Sequence, residues 1–176
     1  LDHLFRLSDS AGIFQHARVT VPNFAEGYCT DDNARALVLA MMLHRLGLGS
    51  PRLNERAATY AAFLNHAFDR QRGRFHNFMS FDRHWLDKIG SEDCQGQSLW
   101  ALGLCVAQAG QGIFQQLSAD VFELALPVAA QFTSPRAWAF TLIGRDEYLR
   151  RFGGDRRASQ IRESLTAKLM QRYADA

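Results

Sequence analysis

The chain has 176 residues, 47% of them hydrophobic, and sets 20 Lys plus Arg against 18 Asp plus Glu for a formal charge of +2. That length allows one domain with enough core to fold alone. The near balance of charge excludes a nucleic-acid surface, and no apolar run approaches the ~20 residues of a membrane span. Leu1 to Gly12 lacks the basic, apolar, then small order of a secretory leader. Cys29, Cys94 and Cys105 are odd in number, far apart and without a CxxC pair. Neither a zinc site nor a disulfide framework is expected, and a reduced, cytoplasmic setting is.

In chain order, residues 1–8 read as the end of a helix, with Leu1, Leu4, Phe5 and Leu7 apolar. Residues 9–29 read as irregular, because Asp9-Ser10-Ala11-Gly12 is turn chemistry and Pro22 breaks any helix. A long helix is predicted from about Asp31 to Leu46. Ala36, Leu37, Leu39, Ala40, Met41 and Leu43 make it apolar almost all round, the mark of burial on most sides. The next, about Leu53 to Phe68, carries one apolar stripe (Ala57, Ala61, Leu64, Phe68) and one wet face. The pair then recurs. Glu92 to Gln108 is mostly apolar, and Ala119 to Phe132 is its amphipathic partner, with a kink expected at Pro127. Pro135 to about Phe152 is a third inner helix, and Arg157 to Tyr173 a third outer one.

The predicted fold class is all-α: three helical hairpins, each an inner buried helix and an outer amphipathic one, in a single domain over residues 1–176. Repetition of one supersecondary unit marks a stacked or ring-like array. One segment breaks the helical period. Residues 73–86, Gly-Arg-Phe-His-Asn-Phe-Met-Ser-Phe-Asp-Arg-His-Trp-Leu, read as a short β-hairpin or extended insertion. It is longer than a helix–helix turn needs, and long ordered loops on helical scaffolds often carry function.

The three inner helices open alike, on Thr30-Asp31-Asp32, Ser91-Glu92-Asp93 and Ser134-Pro135-Arg136, and each stops at a glycine, Gly47, Gly110 or Gly153. A hydroxyl accepts from the free N–H groups of a first turn, acids suit the positive end of the helix dipole, and proline is tolerated at the first helical position. Such starts gather Asp31, Asp32, Glu92, Asp93 and Arg136 at one mouth. Two carboxyls facing one bond can act as general acid and base on a glycoside; equally, each acid can be a helix cap. Asp32 and Asp93 hold the same place in their repeats and are the candidate catalytic pair. Arg136 can clamp an anion or pair with a repeat acid.

Arg35 stands where a DDxxD diphosphate-metal motif has its third acid, and His16, His76 and His84 show no metal-ligand spacing on a helix. No metal and no cofactor are expected. His16 is a candidate through its closeness in sequence to the Tyr28-to-Asp32 mouth. Phe75, Phe78, Phe81, Trp85 and Tyr28 can stack on sugar rings or cap the core, with Asn77 and Gln97 as partners for hydroxyls. Cys94, at a helix start beside acids and without a following histidine, is not expected to be a nucleophile.

The strings GIFQHA, GYCTDDNARAL, RFHNFMSFDRHWL, SEDCQGQSLWALG and SPRAWAF resemble a bacterial (α/α) toroid domain found fused to, or encoded beside, nucleotide-sugar glycosyltransferases, with a fold similar to the six-hairpin glycosidases. The resemblance covers roughly residues 3–150. It implies a ring of six hairpins, of which this chain supplies the N-terminal half. Its later Trp-x-Trp-Phe-Glu and Tyr-Asp-Asn-Ala-Arg segments are absent here, and Gln97 stands where that family usually has arginine. Three hairpins leave inner apolar surface open, which implies a homodimer, a continuation of the chain or a glycosyltransferase domain to cover it.

The expected function is a carbohydrate-active domain that binds a mannose- or glucose-like sugar or oligosaccharide at the loop face. Asp32 and Asp93 are its acid–base candidates, and His16, Tyr28, Asp31, Asn77, Trp85, Glu92, Gln97 and Arg136 its binding residues. A non-catalytic glycan-binding or glycosyltransferase-accessory module, and a structural assembly fragment whose acids are only caps, are the alternatives.

Overall fold

The computed structural model describes residues 1–108 and 113–175. Helix makes up 66% of the described residues and every strand among them is two residues long, so the fold is all-α with a small β insertion. The helices are α1 (Asp2–Arg6), α2 (Thr30–Arg45), α3 (Pro51–Ala67), α4 (Glu92–Gln108), α5 (Ile113–Ala125), α6 (Pro135–Arg151) and α7 (Arg156–Ala174). α4 lies between α2 and α6, and α3, α5 and α7 pack on α2, α4 and α6 in turn. Three hairpins of inner and outer helix result, in the order the sequence predicts.

α4 and α6 approach each other closely. Gly96 and Gly103 recur two turns apart on α4, opposite Ala137 and Gly144 on α6. A Cβ on Gly103 would lie 1.9 Å from the Gly144 carbonyl oxygen, and one on Gly144 would lie 2.3 Å from that of Leu99. Backbone thus rests on backbone, an approach only residues without a side chain permit.

Helix starts follow local chemistry, with one departure. Ser50, Ser134 and Asp155 accept from the N–H groups of Leu53, Ala137 and Ala158, and Ser91 Oγ accepts from Cys94 N at 3.1 Å. At α2 the expected Thr30 cap is replaced: the chain turns at Cys29, Thr30 is already helical, and its hydroxyl is buried without a partner. Thr30 N donates instead to the Asn77 carbonyl at 2.8 Å, and Asn33 braces the entrance from one turn in. Fully buried, Asn33 accepts from Ile13 N at 2.9 Å and donates to Cys29 O at 2.9 Å. Pro127 does more than kink its helix, since α5 ends at Ala125 and the chain continues as a 3-10 helix over Leu126–Gln131. Of the three glycine stops, Gly47 follows α2 with φ +73°, Gly153 follows α6, and Gly110 lies outside the described residues.

Part of the aromatic insertion is a hairpin closed on itself: Met79 bridges Trp85 antiparallel, Leu86 N donates to Phe78 O at 2.9 Å and Ser80 N to His84 O at 2.9 Å. β1 (Ala17–Arg18) pairs with β2 (Val21–Pro22). β3 (Tyr28–Cys29) pairs with β6 (Phe78–Met79), and β4 (Phe68–Asp69) with β5 (Arg74–Phe75). The insertion therefore ties the entrance of α2 to the exit of α3. Gln95 on α4 completes the tie by using its side-chain amide as a strand, accepting from Phe75 N and donating to Phe75 O, both at 2.8 Å. Leu39 and Met42 of α2 and Ile143 of α6 are exposed. Half-buried Trp100 of α4 stacks on Phe140 of α6 at 5.7 Å. Among the described residues no helix is long and apolar enough to cross a membrane.

Candidate functional site

Counting from the helix starts places Asp31, Asp93 and Arg136 at the second position of α2, α4 and α6. Asp32 is the third residue of its helix. Asp32 and Asp93 are thus not equivalent, a correction that follows from the chain turning at Cys29 rather than Thr30.

Asp32 lies in a cavity of about 290 Å³ beside the N-terminal turn of α2. Leu4, Leu7, Ile13 and Leu39 supply apolar wall, and Phe14, Gln15, Asp32 and Arg35 complete it. Arg35 bonds the Asp32 carboxylate and approaches that of Asp31 at 3.7 Å. Burial nonetheless outweighs the guanidinium and holds the Asp32 carboxyl above the usual aspartate range; the Asp31 charge adds to the rise and His16 opposes it. A concave, mostly apolar space with a few converging polar groups and a perturbed acid is the pattern of a small-molecule site.

Cys29 Sγ, Asp31 and Asp32 offer three donor atoms within 4.8 Å of one another. The set already has its cation in Arg35. The Cys29 thiol, which donates to Asp31, is pushed far up by burial and stays protonated. Burial likewise holds the Cys94 thiol well above its ordinary value, and a protonated thiol is a poor nucleophile.

The other candidates divide. Asp93 and Arg136 meet at 3.0 Å in a half-exposed ion pair, with the Arg136 guanidinium over Phe140. His16 is exposed, and its charge is felt at Asp32. Trp85 is half-buried and stacked on His76 at 4.9 Å. Asn77 sits behind the mouth, its side chain 3.4 Å from Cys29 Sγ and its carbonyl accepting from Thr30 N.

Three expected contacts are spent on structure instead. Tyr28 is 1% exposed, with its ring against Phe14 and its hydroxyl donating to Asp9 at 2.6 Å. Glu92 accepts from Thr133 N at 2.8 Å and Ser134 N at 2.7 Å, holding the entrance of α6. Gln97 is 2% exposed in the α4 interior. Phe75, expected among the stacking rings, is fully buried on Phe68.

Phe14 and Gln15 were legible only as part of the GIFQHA string, and Arg35 only as a break in a metal motif. Asp9 was legible only as turn chemistry, and the loop-setting acid Asp87 carried no signal, because turn acids are common. Asp87 accepts from Asn77 N at 2.9 Å and Phe78 N at 2.7 Å.

A larger cavity, about 440 Å³, lies at the C-terminal ends of the inner helices. Its Arg45 is 3.5 Å from Glu147, and its Arg150 is 3.4 Å from Asp146. Those two arginines are paired. Comparison with known protein families, with curated proteins and with solved structures finds no match to this chain.

Proposed function

We propose that this domain binds a carbohydrate at the loop face of its inner helices, in the cavity that holds Asp32. The observation that carries the reading is the desolvated Asp32 carboxyl in a cavity walled by Phe14 and apolar side chains and edged by Gln15 and Arg35. Sugar rings present C–H faces to apolar walls and hydroxyls to paired donors and acceptors. Gln15, Arg35 and Asp32 supply both kinds of polar partner. The cavity volume is at the lower end for ligand sites and suits one ring.

Holding a sugar is favoured over breaking a glycosidic bond, because each candidate acid has its own arginine: Arg35 for Asp32 and Arg136 for Asp93. Glycoside hydrolysis wants two carboxyls across one bond. If chemistry does occur, the raised Asp32 carboxyl is the general acid. The resemblance to a glycosyltransferase-associated toroid supports a role beside such an enzyme. The exposed Leu39, Met42 and Ile143 are the surface on which a larger ring, or a second copy, would close. Three free, buried cysteines agree with a reduced, cytoplasmic setting.

The test is titration calorimetry of the chain against methyl mannosides, methyl glucosides, their disaccharides and sugar phosphates. It is run on wild type, Asp32→Ala and an Asp32→Asn/Asp93→Asn double variant. Binding by wild type that folded Asp32→Ala loses at least tenfold is expected. Binding untouched by Asp32→Ala moves the site elsewhere, and no binding by wild type ends the carbohydrate reading.

A further inference from the structure

We infer that the ligand spans more than one sugar ring, with its second ring on a shelf made by Phe24 and Phe81; this rests on the carbohydrate reading above. The two rings stack on each other at 4.9 Å with 14° between planes, yet each remains 50% exposed. They adjoin the Asp32 cavity through one shared wall. Phe14 lines that cavity, and its ring lies 4.9 Å from Phe24 and 6.1 Å from Phe81.

The pair covers Phe14 and still offers apolar surface of its own. Phe14 and Tyr28 beneath it are 5% and 1% exposed, while the shelf rings keep half their surface in water. The rings are not on slack loops. Phe24 belongs to a one-turn 3-10 segment whose Asn23 side chain accepts from Ala25 N, and Asn23 N donates to His16 O at 2.8 Å. Phe81 sits in a turn closed by Ser80 N donating to His84 O at 2.9 Å and Arg83 N donating to Ser80 O at 2.9 Å.

The two loops are seated on each other at Gly27. There φ is +61° and a Cβ would lie 2.2 Å from the Met79 carbonyl oxygen. Rings stacked in this way leave an outer face free, and a ring held by its partner beside a polar cavity is preorganised for a flat apolar face. The C–H face of a pyranose next along the chain from the one in the cavity has that shape.

The experiment measures monosaccharide and disaccharide affinity by calorimetry, with methyl α- and β-mannosides and glucosides and the matching disaccharides. The proteins are wild type, Phe81→Ala, Phe81→Leu and Phe81→Trp. Phe81 is exposed, so these variants are expected to fold, which their melting curves check. The expected result is a disaccharide bound about tenfold more tightly than its monosaccharide by wild type, about 1.4 kcal/mol. That advantage should vanish in Phe81→Ala and Phe81→Leu and be kept in Phe81→Trp, with monosaccharide affinity unchanged throughout. Monosaccharide binding with a disaccharide advantage that Phe81→Ala leaves intact, or with none in wild type, overturns the shelf and spares the cavity. Absence of binding by any sugar overturns both.

Discussion

At the scale of single residues the decisive competition is at Asp32, where burial and Arg35 pull the carboxyl in opposite directions and burial prevails. An aspartate whose folded value lies above its unfolded one binds its proton more tightly in the native state. Stability therefore falls as pH rises from the ordinary aspartate range through the raised value, and the loss persists above it. Asparagine keeps the shape and removes the charge. Asp32→Asn is expected to melt above wild type at pH 7, with the gap closing near pH 3, where both side chains are neutral. Calorimetric melting at the two pH values checks this, and a lower melting point at pH 7 would mean that the Arg35 pair wins after all. The acids of this mouth were visible in the sequence, but their partners were not. Helix-start chemistry picks out Asp31, Asp32, Glu92 and Asp93, whereas only the fold shows Glu92 occupied by the Thr133 and Ser134 amides and Tyr28 by Asp9. Which carboxylate is spent and which is free depends on contacts between segments tens of residues apart, about which local pattern is silent.

Among the elements, α4 was legible because burial on most sides leaves an apolar run, whereas α2 exposes Leu39 and Met42 against the expectation of burial on most sides, and α6 buries only Ala137, Trp138, Thr141, Gly144, Arg145 and Tyr148. Their starts were legible because serine, aspartate and proline announce them. The insertion was less so. Its alternating aromatics give extended backbone and the Met79–Trp85 hairpin inside it, but β5 pairs with β4 and β6 also with β3 outside it, and two-residue strands carry no pairing signal. Least visible was the seam between α4 and α6. Glycine inside a helix costs about 1 kcal/mol relative to alanine, so Gly103→Ala would stabilise an isolated α4. In the folded chain the added Cβ falls 1.9 Å from the Gly144 carbonyl oxygen, and no side-chain motion relieves a clash with backbone. The clash dominates, and Gly103→Ala is expected to lose about 3 kcal/mol or more in urea unfolding. Gly154→Ala, which meets nothing within 4 Å, is the control and should change stability little. A Gly103→Ala protein as stable as wild type would show that the two helices can part without penalty.

For the whole molecule, the layered order sets a gradient of stability. α4 touches α2, α5 and α6, and from Cys94 to Val106 every residue but Trp100 is buried. α7 leans on α6 and the 3-10 segment and buries only Ala158, Ile161 and Leu165. One buried bond pins its first turns, from Arg145 Nε to the Ala158 carbonyl at 3.0 Å, whereas the turns beyond Leu165 are held by an exposed one, from Lys168 Nζ to the Ala130 carbonyl at 2.8 Å. Local opening is governed by how much buried apolar contact must be broken. Opening α4 breaks the row itself, so its amides should exchange only through global unfolding, with the full stability of about 5–15 kcal/mol protecting them. Amides beyond Leu165 should exchange orders of magnitude faster, and those at the α2 entrance should lie between, since Asn33 and the β3–β6 pair brace them from outside the row. Native-state hydrogen exchange resolved along the chain measures this order directly. If α4 opened no more slowly than α7, the three hairpins would be separate units, and the mouth formed by their N-terminal ends would not hold the fixed geometry that a sugar site requires.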